Sequence, residues 1–203
     1  QKAAATLQQF NASAWIWRAL LPAIAASRNA TGGATTFTLT ASQGALTTAI
    51  DDVLFGEVWV CSGQSNMAFL VENAFDGKEL VQDANNHPEM RLFTTRKLTA
   101  GSPLQELGQD TNLGQWVQGV QLPWSVASNI SISDDNHGSR ANDDNWLYMS
   151  AVCYLFGLDL HKARQVPIGL LNTNLGGTSI QDWMPDAALA DCAHHASKET
   201  TEA

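Results

Sequence analysis

Apolar and polar positions fall into two regimes along this chain. Residues 1 to about 50 are rich in Thr and Ala; Phe37-Thr-Leu-Thr40 alternates as a half-buried strand does, and Gly32-Gly33 marks a turn before it. Trp15 to Ala26 reads as strand and connection, because Pro22 interrupts a helical reading and the apolar run is too short to span a bilayer. From about Phe55 the pattern becomes that of an α/β unit. Val58, Trp59 and Val60 form an apolar run suited to a buried strand, which Gly63 lets the chain leave tightly. A helical stretch is expected after Ser65, then a strand around Met90 to Thr94 and a long polar insertion. Val152, Leu155, Phe156 and Leu160 recur near helical spacing between Tyr148 and Arg164, and Pro167 ends that helix before a strand at Ile168 to Leu171. The order is that of a βαβ crossover.

Composition narrows the function classes. A hydrophobic content of 44% in 203 residues suffices for a core. The formal charge of -9 argues against a phosphate-binding surface for nucleic acid and against attraction to anionic membranes. Cys61, Cys153 and Cys192 match no zinc pattern, so no metal site is expected. Cys61 and Cys153 lie in apolar runs and read as core residues, whereas Cys192, in a more polar tail, is available to a cysteine on another segment. Sequons at Asn11, Asn29 and Asn129 permit glycosylation on a secretory route.

Candidate chemistry sits in two turns. In Gly56-Glu-Val-Trp-Val-Cys-Ser-Gly-Gln-Ser-Asn-Met67 an apolar strand runs into a turn that presents Ser65, either as a nucleophile or as a helix cap. Backbone amides at such a turn favour the negative oxygen that develops in acyl transfer. The second segment, Val166-Pro-Ile-Gly-Leu-Leu-Asn-Thr-Asn-Leu-Gly-Gly-Thr-Ser-Ile-Gln-Asp-Trp183, also runs from a strand into a glycine turn. Gly176 and Gly177 leave the backbone uncovered there, so an amide can approach a ligand oxygen. The alternative is an ordinary strand-to-helix turn. His87, His161 and His195 read as structural or surface residues. Trp59, Trp116, Trp124 and Trp146 read chiefly as packing, and Trp183, after the glycine turn, is the best pocket candidate. The polar stretch 131–145 reads as a solvated loop.

Gly63-Gln-Ser-Asn-Met67 and Gly176-Gly-Thr-Ser-Ile-Gln-Asp-Trp183 together resemble the sialate O-acetylesterase family of SGNH-type serine esterases. Segments 52–59, 124–128 and 150–160 extend the resemblance, which covers roughly residues 15 to 186; Leu175 departs from it where relatives often carry an aromatic residue. The resemblance implies an α/β fold with an SGNH-hydrolase-like parallel sheet flanked by helices. That fold is expected to be incomplete in this chain and preceded by part of a β-rich domain: residues 1–54 end the β-rich domain, and 55–203 form the N-terminal part of the esterase domain. It implies Ser65 as nucleophile, the amides of Ser65 and of Gly177 or Gly176 as oxyanion donors, and Gln64, Asn66, Thr178 and Trp183 around an O-acetylated sugar. No cofactor is implied.

The family also uses a later Gln-Gly-Glu segment and an Asp-x-x-His segment that supplies the base. The first is missing from this chain, and neither Asp134 to His137 nor Asp191 to His194 suits the second by its place in the order of segments. Since the chain opens on Gln1, the expectation is a split precursor whose C-terminal chain carries the base, in a secreted, lysosomal or vacuolar setting. A non-catalytic assembly subunit and a polysaccharide acetyl esterase are the alternatives.

Overall fold

The computed structural model describes residues 3–11, 14–30, 32–97, 107, 109–110, 117–133, 148–190 and 192. It divides into two compact units, Gln1–Phe55 and Gly56–Ala203.

The first unit is built from two antiparallel hairpins, β1 (Ala5–Asn11) with β2 (Ala14–Ala19) and β3 (Phe37–Gln43) with β4 (Leu46–Val53). Phe37 and Leu39 are half-buried while Thr38 and Thr40 are exposed, which is the alternation that the sequence predicts. Phe37 packs edge-on against Phe55 with ring centroids 5.0 Å apart.

The second unit holds a four-stranded sheet in the order β5-β10-β6-β9. Its strands are β5 (Glu57–Gly63), β6 (Met90–Thr95), β9 (Val120–Val126) and β10 (Ile168–Asn174). The short pair β7 (Gln109–Asp110) and β8 (Val117–Gln118) stands apart from it. β10 runs parallel to both β5 and β6, but β9 runs antiparallel to β6. The sheet is therefore mixed rather than parallel, and its antiparallel edge comes from the segment expected to be a polar insertion. Val120, Leu122 and the Trp124-Ser-Val126 stretch supply enough apolar and β-branched surface for a strand there.

Helices α1 (Gly77–Asp83), α2 (Asn129–Ile132) and α3 (Ala151–Arg164) contribute to one core with the sheet. Met90, Leu92, Ile168 and Leu170 from the sheet are buried with Val81, Ile132, Tyr154 and Leu158. The helix predicted from Tyr148 starts at Ala151, where the Ser150 side chain caps it by accepting from the Cys153 amide at 3.2 Å. Its buried face is not simply the set of apolar positions at helical spacing. Ala151, Cys153, Tyr154, Gly157 and Leu158 face inward, Val152, Leu155 and Phe156 are exposed, and Leu160 is half-buried. Close approach decides this: a Cβ on Gly157 would lie 2.7 Å from Leu170 Cδ1, so the helix presents its small residues to β10.

Two further expectations change. Cys61 and Cys153 are buried, as core residues should be, but they are joined in a disulfide across 92 residues, tying β5 to the first turn of α3. The sequence offers three possible pairs and no geometry to choose among them; Cys192 is exposed and free. The Val-Trp-Val run is not buried. Val58 and Val60 are 62% and 66% exposed because they point to the face of the sheet opposite the helices. Trp59 points the other way and packs edge-on against Phe156 at 5.1 Å. An ion pair from Arg164 Nε to Glu57 Oε1 at 2.9 Å joins the far end of α3 to the start of β5.

Candidate active site

Ser65 follows the carboxyl end of β5. Gly63 makes its exposure possible: at φ +136 the position is strained for any side chain, and a Cβ there would come within 2.8 Å of Met67 Cγ. The chain then turns on itself, the Met67 amide donating to the Gln64 carbonyl at 2.9 Å and the Ala68 amide to the Ser65 carbonyl at 3.0 Å. No helix starts here, contrary to expectation; α1 begins only at Gly77. Ser65 therefore caps nothing. Its hydroxyl donates to Gln64 Oε1 at 2.8 Å, and its amide donates to the same oxygen at 3.1 Å. Asn66 is exposed beside it.

Parallel pairing brings the second turn to the first. Asn174 lies in register with Gly63, and the Leu175 amide donates to the Gly63 carbonyl at 2.9 Å, so both turns leave the sheet at adjacent carboxyl ends. In open α/β sheets that edge is where ligands bind. A Cβ on Gly176 would sit at ordinary contact distance, 3.9 Å, from both Cα and Cβ of Ser65, so the glycine turn lies beside the serine. Gly177 adopts φ +80. Neither glycine amide donates a hydrogen bond within the described residues.

The glycine turn is braced from its far side. Thr178 Oγ1 donates to the Leu175 carbonyl at 2.7 Å and accepts from Trp183 Nε1 at 3.0 Å. Ser179 and Asp182 form a capping box around the short turn Ile180–Trp183. Thr178 and half-buried Trp183, both predicted as pocket residues, are thus linked to each other and to the turn. Their polar atoms hold its shape.

Beneath the turns runs a polar row that sequence reasoning missed. Asn172 Nδ2 donates to the Tyr148 carbonyl at 2.9 Å, and Asn174 Nδ2 donates to Asn172 Oδ1 at 2.6 Å. Both side chains are buried, on the same sheet face as Leu170. The signal was available: Leu170, Asn172 and Asn174 occupy alternate positions of one strand, so two amides continue an apolar stripe.

The two described histidines stand elsewhere. His161 Nδ1 bonds the Val166 carbonyl at 2.8 Å, just before β10 begins, and His87 packs 6.1 Å from His161 and pairs with Asp83 at 2.9 Å. They mark the amino end of β10, whereas Ser65 marks the carboxyl end, about 20 Å away along seven residues of strand. Neither is placed to take its proton. Hydrogen bonds from Asn86 and then His87 hold the Asp83 carboxyl below its usual range, while burial, with the Asp83 charge, pushes the Tyr154 phenol up to about 12. His137, His194 and His195, with Asp134 and Asp191, lie outside the described residues, as do Trp116 and Trp146. No cluster of metal-ligating side chains occurs among the described residues.

The sequons differ in setting. Asn29 is exposed, with Oδ1 accepting from the Gly33 amide at 3.1 Å. Asn129 is half-buried at the start of α2, and the Ser131 hydroxyl of its sequon is held in a capping box with Ser128. Asn11 ends β1, and its side chain lies outside the described residues.

No family model matches the chain. Sialate O-acetylesterase of Rattus norvegicus is 38% identical over 149 residues, covering 72% of this chain and 24% of that protein. The Homo sapiens enzyme of the same name is 34% identical over 146 residues, again 72% and 24%. This chain is a homologue of the sialate O-acetylesterases. It spans about a quarter of the length of these curated relatives. The crystal structure of a carbohydrate acetylesterase from Xanthomonas citri matches with a TM-score of 0.62 at 26% identity, covering 93% of this chain and 38% of that one. The sialate O-acetylesterase homologue thus shares a mixed α/β architecture with a carbohydrate esterase.

Proposed function

We propose that this chain carries the nucleophile half of a serine esterase that removes O-acetyl groups from sialic acid or a related sugar. The observation that carries the reading is the placement of Ser65 beside the Gly176 turn at the carboxyl ends of two adjacent parallel strands. Ser65 Oγ attacks the acetyl carbonyl, its proton passing to a base, and the ester oxygen leaves with a proton as the sugar hydroxyl. Water then cleaves the acetyl-enzyme to acetate and restores Ser65. The amides of Ser65 and of Gly177 or Gly176 are the donors for the oxyanion. Gln64, Asn66, Thr178 and Trp183 surround the acyl group and sugar, with Thr178 and Trp183 acting through the shape of the turn.

The base and its carboxylate come from a C-terminal segment of the same polypeptide, as an attached continuation or a separate chain. The distance of His87 and His161 from Ser65 supports this, and so does the length of the relatives beyond the matched region. In this reading, 55–203 is the N-terminal part of an SGNH-type domain and 1–54 the end of a β-rich one. The buried disulfide favours an oxidising compartment, and with exposed Asn29 it supports a secreted, lysosomal or vacuolar glycoprotein. The name of the Xanthomonas citri enzyme, a carbohydrate acetylesterase, leaves room for a second substrate reading in which the acetylated sugar belongs to a polysaccharide.

The test is acetyl-ester hydrolysis by the native protein, isolated without reduction together with any segment that accompanies it. Ser65→Ala should lower kcat by at least about 10³-fold without unfolding the chain. Undiminished hydrolysis by that variant would sink the assignment. A native preparation with neither a companion segment nor activity would point to a non-catalytic subunit.

A further inference from the structure

Gln64 makes a pair of contacts that an exposed glutamine has no structural need to make. Its Oε1 accepts from the Ser65 amide at 3.1 Å and from the Ser65 hydroxyl at 2.8 Å. The identity of the atom follows from its partners. A backbone amide can only donate, so the group facing it is the carbonyl oxygen of the carboxamide and not its nitrogen; the Ser65 hydroxyl, facing the same oxygen, donates as well.

Those two donors are the ones acyl transfer consumes. Under the reading of Ser65 as nucleophile, on which this inference rests, the amide is owed to the oxyanion and the hydroxyl proton to the base. A serine hydroxyl has a single proton, and while Gln64 Oε1 accepts it a histidine cannot. A primary amide oxygen bonded to the Ser65 amide is also chemically close to an acyl oxygen, since both are carbonyl acceptors. We propose that Gln64 is a self-masking residue: its side-chain carbonyl stands in for the acetyl oxygen in the resting site, and an incoming acyl group must displace it.

The consequence is a threshold on substrate. An ester that enters far enough to take the Ser65 amide frees the hydroxyl proton for the base in the same movement. A weakly held molecule, water included, leaves the serine masked. Gln64 thereby becomes a specificity-determining residue, acting by competition in the free enzyme.

The experiment measures the rate at which a fluorophosphonate labels Ser65 in the native esterase, a reaction that forms the Oγ–P bond, expels fluoride and passes the serine proton to the base. Gln64→Met keeps the length of the side chain and removes the acceptor, so labelling should accelerate by about 3- to 10-fold, with a lower KM for an acetyl ester. Gln64→Glu keeps an acceptor and adds charge, so it should label at least about 3-fold more slowly than the parent at neutral pH. Labelling of the Met variant at or below the parental rate, or of the Glu variant at or above it, overturns the inference and makes Gln64 a support for the hydroxyl instead. Failure of the parent itself to label at Ser65 removes the nucleophile reading, and the inference with it.

Discussion

The two faces of β5 are made of similar residues and do opposite work. On one side Cys61 is 8% exposed and bonded to Cys153, with Trp59 leaning on Phe156 of α3; on the other, Val58 and Val60 stand open. The same contrast crosses the sheet. Ile168, Leu170 and Asn172 are buried on the helix side, whereas on the open side Gly169 is flanked by Val58 and Trp124, and Trp124 stacks on Phe93 at 5.5 Å. Hydrophobicity along a strand therefore says what a residue can bury. Only the neighbouring layer says whether it does, and parallel strands usually have a layer on each side.

This contrast can be broken most severely at the disulfide. Replacing Cys61 and Cys153 by Ala releases a 92-residue loop, and the chain-entropy treatment sets the loss near 4–5 kcal/mol, to be read as a lower midpoint in denaturant with the parent kept oxidised. A loss under about 1 kcal/mol would show that packing alone holds the strand to the helix. Next in size is a pair of truncations. Leu170→Ala on the covered face should cost about 2–5 kcal/mol, and Val60→Ala on the open face about 0.5 kcal/mol or less, in the same unfolding assay. Equal losses would mean that the open face is covered in solution. The smallest effect belongs to Tyr154→Phe. The Tyr154 hydroxyl is buried without a hydrogen-bond partner among the described residues, so its removal should be neutral or stabilising by up to about 1 kcal/mol. A clear loss of stability would reveal a partner for that oxygen.

The two turns were legible because their chemistry is local. Gly63 must adopt a conformation closed to other residues, and Gly177 turns at φ +80; both demands leave a glycine in the sequence beside a polar residue. The strands at Met90 and Ile168 and the helix before Pro167 were legible by period and by punctuation. What could not be read depended on partners distant in sequence. The valines of β5 look buried until one knows which face of the strand the helices cover. The inward face of α3 does not follow from apolar spacing because Gly157, without a side chain, governs its approach, while periodicity counts only side chains. Ser65 looked fit to open a helix because a serine beside a glycine turn is equally at home in a cap and in a reactive loop. Asn172 and Asn174 pass unnoticed in a strand until their place beneath the Ser65 turn is known.

The link from Cys61 to Cys153 also gives the molecule a record of its own history. Among the described residues β5 is joined to the sheet by hydrogen bonds on one side only, and in a reducing environment no cross-link would hold it, or the Ser65 turn that follows it, to α3. A copy that never met an oxidant would open first at this edge strand and the Ser65 turn that follows it. The bond thus ties the hold on the Ser65 turn to the redox state of the surroundings.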